Sequence, residues 1–475
     1  MSGPGIRACI AAMVLIAAPI VVFGARVARA AGAPEAAARD TTASAPLPSR
    51  LGPRDRKPVA GAVVARTFEE LASLVRDEAG PADIELLPKV YHGDLTIKRA
   101  VAIRGSRGTI LEGTGTASVV TIDGKDITVE NVSVRHSGRR HTSEDSGIKA
   151  TGERVRVADL DVQDVLFGVS LEACKYCTIE RAHVVGYGDD TELRGDGIKL
   201  WEANDSVVRG CVVEHARDLV VWYTRRAILE DDVVTGGRYG AHFMYAHDSI
   251  VRRSRFEKNV VGIFVMYSMR LRVEDNVLAG ARGAAGIGLG FKDSDAVQVK
   301  GNWIVANTVG TYLDNTPRTS ADPVGFDDNL LALNDVAMRL NTSEAGLTFK
   351  GNDFHQNAVM IEVDGGSDAM FVTMRGNRYS DYEGYDLDDD GVGDVAYEVK
   401  ALSSELTESR PTLKFFHGTA AMSLVDVVAR AKPMLASHKL LVDPAPLAQR
   451  PRLPMPPGRV TDTTRAPEGR SERHP

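Results

Sequence analysis

A chain of 475 residues with a net charge of −7 and a pI near 5.9 carries no basic excess for phosphate backbones, which argues against nucleic acid as a partner. Its 43% hydrophobic and 25% charged residues are ordinary for a soluble protein, and 45 glycines allow a turn in every short repeat.

The first 30 residues read as an export signal. Arg7 supplies the positive start, residues 8–24 an apolar core, and Ala28-Arg29-Ala30 a small-x-small cleavage site; an uncleaved anchor is the alternative reading. Residues 31–60 are rich in Ala, Pro and Ser and are expected to be a disordered lead-in. Residues 61–83 form an N-terminal cap. There Thr67 and Glu70 make a capping box, and Phe68, Leu71, Leu74 and Val75 fall on one helical face. Such a helix would close the open end of a solenoid.

The solenoid is expected over residues 84–380. Five copies of one pattern start at Gly197, Asp218, Gly240, Gly262 and Gly286, stepping by 21, 22, 22 and 24. A period near 22, with a second apolar run in each repeat, predicts an all-β, right-handed parallel β-helix with one coil per repeat. Alternation along each strand turns Ile198/Leu200, Leu219/Val221, Ala241/Phe243, Ile263/Val265 and Ile287/Leu289 inward. Two columns then face outward. One is Trp201, Trp222, Met244, Met266 and Gly290; the other is Lys199, Val220, His242, Phe264 and Gly288. An outer face of Trp, Met and Phe reads as a binding surface, unless another segment of the chain covers it. Several second strands end in Gly-Asn, as at Gly301-Asn302, Gly351-Asn352 and Gly376-Asn377, where Asn can ladder between coils.

Cys174 and Cys177 frame a turn and suit turn packing or a local disulfide, and with Cys211 the odd count of three after the signal flags a free thiol. Asp189, Asp190, Asp196, Asp293, Asp295 and Asp314 are scattered turn carboxylates without the paired spacing of a glycosidase, and no Ser-His-Asp motif appears. The chain is therefore not read as an enzyme; a secreted β-helix that binds or cleaves polysaccharide is the alternative.

Thioether and imidazole together suit Cu(I). His242 and Met244 share a strand face, Met266 lies on the next coil, and His247 stacks over Met269; these five residues are the candidate copper ligands. Within residues 381–400, Asp386, Asp388, Asp390 and Asp394 with Gly391 match the first half of a calcium loop, although Tyr397 stands where the bidentate Glu belongs. Residues 401–448 are expected to be a helical extension, strongest at 421–428 and broken by Pro411 and Pro433. Residues 449–475, rich in Pro and Arg, are expected to be a disordered tail.

Several stretches together resemble the NosD family. They are Gly240-Ala241-His242-Phe243-Met244-Tyr245-Ala246-His247-Asp248-Ser249, Val265-Met266-Tyr267-Ser268, Gly288-Leu289-Gly290-Phe291-Lys292-Asp293, Gly376-Asn377-Arg378-Tyr379-Ser380-Asp381-Tyr382-Glu383-Gly384-Tyr385-Asp386 and Asp443-Pro444-Ala445-Pro446-Leu447. Arg378-Tyr379 departs from an aromatic pair in that family, and Cys174 and Cys177 fall outside its pattern. The resemblance implies a periplasmic accessory subunit that assembles with an ABC-type membrane subunit and its ATPase. It further implies exchange with a copper chaperone and copper-site assembly in nitrous oxide reductase. The outward Trp201, Trp222, Phe264, Tyr245 and Tyr267 are the expected partner-binding surface.

Overall fold

The computed structural model describes residues 51–188, 190–343, 345–364, 368–400, 411–416 and 439–449. The export signal, the helical run at 421–428 and the tail from 450 lie outside the described residues. No helix among the described residues is long and apolar enough to cross a membrane.

Three parallel sheets of 14, 13 and 12 strands wind into a β-solenoid of about 14 turns, with 4% helix. Each coil gives one strand to each sheet. In the 12-stranded sheet, the central sheet here, the strands that carry the candidate face are β1 (Ile198–Trp201), β2 (Asp218–Trp222), β3 (Tyr239–Met244), β4 (Val261–Met266), β5 (Ile287–Lys292) and β6 (Val309–Asp314). They are followed by β7 (Val336–Asn341) and β8 (Val359–Asp364).

The inward assignments are met on the first four coils: Ile198, Leu200, Leu219, Val221, Ala241, Phe243, Ile263 and Val265 are all fully buried. The fifth coil corrects the reading. Phe264 pairs with Gly290, Val265 with Phe291 and Met266 with Lys292, so the inward pair is Leu289 and Phe291, and Ile287 leaves the stack. The outward columns therefore continue through Lys292 and Gly290, two residues later than the Gly290 and Gly288 expected. The cause is the longer turn between Ala279 and Ile287, which adds residues that local periodicity cannot see. Gly290 is required where it stands, because a Cβ there would meet the Phe264 ring at 2.4 Å.

Polar side chains stack inside the corners as regularly as aliphatic ones stack in the core. Asn276, Asn302, Asn329 and Asn352 each donate Nδ2 to the Oδ1 of the next asparagine, ending at Asn377, at 2.9–3.0 Å, so the buried amides of this ladder are paired. The left-handed conformation of these Gly-Asn corners is taken by the glycine (φ 67°, 69° and 66° at Gly301, Gly351 and Gly376), and the asparagine supplies the ladder. The column ends on Asp443, whose Oδ2 accepts the Asn377 backbone N–H (3.1 Å), Asn377 Nδ2 (3.0 Å) and the Tyr379 hydroxyl (3.0 Å).

Both ends of the solenoid differ in part from expectation. The cap helix α1 (Phe68–Arg76) forms as predicted, with Thr67 accepting the Glu70 N–H at 3.2 Å and Leu71 and Val75 buried. The last residues of the lead-in, however, are laid across the first coils: Asn131 Nδ2 donates to the Arg54 carbonyl (2.8 Å) and Arg56 pairs with Glu85 (2.6 Å). At the other end the extension is not helical where it is described, apart from a 3-10 turn at Pro411–Phe416. Instead β9 (Tyr397–Lys400) pairs antiparallel with β10 (Lys439–Asp443), which buries Leu441 and positions Asp443. Cys174 and Cys177 form a disulfide, and Cys211 is free and buried.

Candidate metal-binding and docking face

The outer face of β1–β4 holds the residues that composition and spacing single out. His242 sits between Val220 and Phe264 in register, and Met244 between Trp222 and Met266. A register irregularity between Asp218 and Val220 sets the start of β3, where Asp218 accepts the Tyr239 N–H at 3.1 Å. The Tyr239 ring then stacks on the His242 imidazole at 4.6 Å, and Trp222 meets it edge-on at 5.3 Å. These rings leave His242 only 7% exposed.

Burial has an electrostatic consequence. It disfavours the imidazolium and, with the Arg238 charge nearby, outweighs the opposing pull of Asp218, so the His242 pKa is lowered to about 4. At neutral pH the ring is neutral and one nitrogen carries a lone pair. Its Nε2 lies 3.4 Å from Met266 Sδ, a diagonal contact to the next coil, while Nδ1 is buried without a hydrogen-bond partner. Trp222 Nε1 is likewise buried and unpaired. An imidazole nitrogen against a thioether is a donor set that fits Cu(I), with Met244 in register beside Met266 as a further thioether on the same face.

The other candidate pair is arranged differently. Met269 donates its backbone N–H to His247 Nδ1 at 3.2 Å. The neutral His247 ring then holds its proton on Nε2, and His247 and Met269 are joined by this local hydrogen bond.

The rings expected on the outer face lie there, and their column is longer than expected. Trp201 and Trp222 lie 5.7 Å apart, and Phe264 stacks towards Tyr312 at 6.4 Å. Tyr223, Tyr245 and Tyr267 stack face to face at 5.2 and 5.1 Å, with Trp201 at 5.2 Å from Tyr223. Each tyrosine takes the corner residue after its strand, at φ 52°, 52° and 50°. That conformation costs an L-residue roughly 1–2 kcal/mol. Sequence reasoning missed Tyr239 and left Tyr223 out of the surface, although the spacing of Tyr223, Tyr245 and Tyr267 matches the coil period. Lys199, at the start of its column, is buried under Glu144 and Glu172, and a cavity of about 300 Å³ opens beside it and Trp201.

The acidic loop brings Asp386, Asp388 and Asp390 together, with carboxylate oxygens within 4.8 Å of one another. Asp386 also accepts the Gly391 N–H (2.9 Å), and Asp390 accepts the Val392 N–H (2.8 Å). Asp394 is outside the cluster and holds the Leu387 N–H at 2.7 Å. Of the turn carboxylates weighed for catalysis, Asp189 lies outside the described residues, Asp196 pairs with Arg217 (2.9 Å), Asp295 with Arg318 (2.6 Å) and Asp314 with Lys292 (2.6 Å), and Asp293 accepts from Asn315 Nδ2 (2.5 Å).

These features define a parallel β-solenoid whose outer face combines aromatic rings, thioethers and a neutral imidazole. A family model described as "Periplasmic copper-binding protein (NosD)" matches residues 181–384, the part of the chain that carries this face. A probable ABC transporter binding protein NosD from Pseudomonas aeruginosa is 30% identical over 457 residues, covering 84% of this chain and 96% of its own length. Its counterpart from Stutzerimonas stutzeri is 25% identical, covering 73% and 82%. The chain belongs to the NosD family. Among solved structures, the A-module of the Azotobacter vinelandii mannuronan C-5 epimerase AlgE6 aligns with 68% of this chain and 97% of that chain, at a TM-score of 0.48 and 12% identity. That likeness concerns the fold alone.

Proposed function

We propose that the chain is a periplasmic accessory subunit of an ABC-type complex and handles Cu(I) as cargo on its outer face, in support of copper-site assembly in nitrous oxide reductase. The observation that carries this reading is the neutral, buried His242 with Nε2 at 3.4 Å from Met266 Sδ and an unpaired Nδ1. His242 and Met266 would hold the ion, and Met244 would receive it at the rim. All three ligands are uncharged, so binding adds one positive charge to the face and strands no anion when the ion leaves. A site with so few soft ligands suits an ion that is to be passed on between a copper chaperone and its client. The names of the relatives support the assignment of an ABC-type membrane subunit and its ATPase as partners.

Titrating the protein with Ag(I), a redox-inert stand-in for Cu(I), tests the site. Trp222 lies 5.3 Å from His242, so its fluorescence should quench on binding. His242→Ala and Met266→Ala should each weaken binding by about tenfold or more, equivalent to about 1.4 kcal/mol. Unchanged affinity in both variants would refute the site.

A further inference from the structure

The copper reading uses His242 and the methionines but gives no part to the oxidisable rings beside them. Those rings are joined. Trp222 meets the His242 imidazole at 5.3 Å, Trp201 lies 5.7 Å from Trp222, and Tyr223 lies 5.2 Å from Trp201. Tyr245 stacks on Tyr223 at 5.2 Å and Tyr267 on Tyr245 at 5.1 Å, with ring planes 14° and 16° apart. All are contact distances for aromatic pairs. Five rings therefore lead, each touching the next, from the candidate metal site along the outside of the solenoid. The aromatic stack inside the solenoid has another chemistry: it runs through Phe291, Phe326, Phe349 and Phe354, whose rings resist oxidation.

The two ends of the outer series differ in where a proton can go. Trp222 Nε1 is buried without a hydrogen-bond partner among the described residues. An indole that loses an electron there has no base to take its N–H proton, so it keeps the positive charge and passes it on. At the other end Tyr223 and Tyr245 are 43% and 40% exposed. Both faces of Tyr245 are covered by the neighbouring rings, so its exposure falls on the ring edge and the hydroxyl. None of the Tyr223, Tyr245 and Tyr267 hydroxyls bonds to another side chain or backbone group among the described residues, and none is a buried unpaired atom, so water takes their protons. A phenol that gives up an electron and its proton becomes a neutral radical, and the oxidation settles there.

A face that handles Cu(I) has need of such a path. Cuprous ion gives one electron to a peroxide, whose O–O bond breaks to leave hydroxide and a hydroxyl radical. Oxidation of the thioethers beside it would turn apolar ligands into polar sulfoxides. We infer that Trp222, Trp201, Tyr223, Tyr245 and Tyr267 form a relay that carries a one-electron oxidation from the metal face to phenol groups in contact with water. The hydroxyl radical takes an electron from Trp222 and becomes hydroxide. Trp201 returns an electron to Trp222, and Tyr223 returns one to Trp201 while its O–H proton leaves to water, where it neutralises the hydroxide. The tyrosyl radical is shared along the stack until a thiol in solution supplies a hydrogen atom and restores the phenol. The inference rests on the copper reading only for the source of the oxidant.

The test uses the full-length chain without metal, so its failure would count against the relay and not against the copper site. Azide radicals made by pulse radiolysis oxidise indole rings first, and the indolyl and tyrosyl radicals absorb at separate wavelengths. The indolyl signal should decay as the tyrosyl signal rises, at a rate independent of protein concentration. Tyr223→Phe/Tyr245→Phe/Tyr267→Phe keeps the stack and removes the phenols, and should abolish that rise. Trp201→Phe, which interrupts the path between Trp222 and Tyr223, should abolish it too. Trp303, the third tryptophan, lies in the 13-stranded sheet, and Trp303→Phe should leave the rise unchanged. A rise that survives in the triple variant or in Trp201→Phe, that is lost in Trp303→Phe, or that speeds up with protein concentration would overturn the inference.

Discussion

Two outer faces of one solenoid obey opposite rules. On the 14-stranded sheet the outward column runs Glu180, Arg209, Glu230, Arg252, Glu274, Lys300, Asp327, Lys350, in register and alternating in sign coil by coil. Each charge stands opposite one of the other sign, and from Glu180 to Arg252 they close ion pairs across strands, as Glu230 does with Arg209 (2.6 Å) and Arg252 (2.7 Å). Such a face is satisfied by itself and by water. On the central sheet the corresponding positions carry Trp201, Trp222, Met244 and Met266, four uncharged side chains in register with one another, with Glu172 before them and Lys292 after. The same backbone serves both, so the difference lies wholly in which side chains the coils repeat. A zipper of alternating charge needs no visitor, and a column of sulfur and aromatic rings gains from one.

The largest expected effect tests whether the central face really points outward. Phe243→Ala, in the buried column, should cost about 3–5 kcal/mol in urea denaturation, from lost burial and an unfilled cavity. Met244→Ala, its immediate neighbour on the outer face, should cost about 0.5 kcal/mol or less. Similar losses would mean that the two faces are not distinguished by register.

Acid sharpens the contrast, because the two faces take up protons over different ranges. His242 has its folded pKa lowered to about 4 by burial, below the ordinary value of 6.5. Its contribution is therefore complete above pH 6.5 and is lost as pH falls from there towards 4, at up to about 1.4 kcal/mol per unit. Glu230 is pushed up by burial, but hydrogen bonds from Arg252, Arg209 and Arg253 prevail and lower it to about 2. Its contribution is complete above about 4.5 and disappears as pH falls towards 2, amounting to about 1–2 kcal/mol once solvent screening is allowed for. Stability measured from pH 7 to 3 should lose its upper limb in His242→Phe and its lower limb in Glu230→Gln. Ag(I) affinity of the folded protein should be flat from pH 7 to 5 and weaken only near pH 4.

The smallest effect belongs to neither face. Calcium should raise the melting temperature by a degree or two through the cluster of Asp386, Asp388 and Asp390, and Asp388→Asn should abolish the rise. No shift at millimolar calcium would leave these carboxylates as turn-forming groups alone.

How much of this was legible in the sequence depended on the reach of each interaction. The period of the coils, the buried columns of β1–β4 and the capping box at Thr67 are local patterns and could be read directly. The fifth coil could not, because Gly286-Ile287-Gly288-Leu289-Gly290 offers two frames with glycine at the start. What decides between them is the Phe264 ring lying over Gly290, a contact 26 residues apart. The same limit applied to the candidate metal site. The strand pattern places Met244 beside Met266 and His242 beside Phe264, yet the imidazole leans diagonally to Met266, guided by Tyr239 and Trp222. Composition likewise marked residues 51–58 as lead-in, since nothing local reveals that Asn131 holds Arg54.

The asparagine ladder has a direction, and that direction decides where the protein ends its stack. Every rung receives a proton donor from the coil before and offers one to the coil after, so an open ladder is an invitation to append another coil, including one from a neighbouring molecule. Asp443 withdraws the invitation. A carboxylate only accepts; one of its oxygens takes Asn377 and Tyr379, the other takes the Ala445 N–H at 3.1 Å, and nothing is passed on. A protein built from repeating coils is always at risk of polymerising end to end, and here a single acidic residue, delivered by a strand from far along the chain, acts as the terminator of its own repeat.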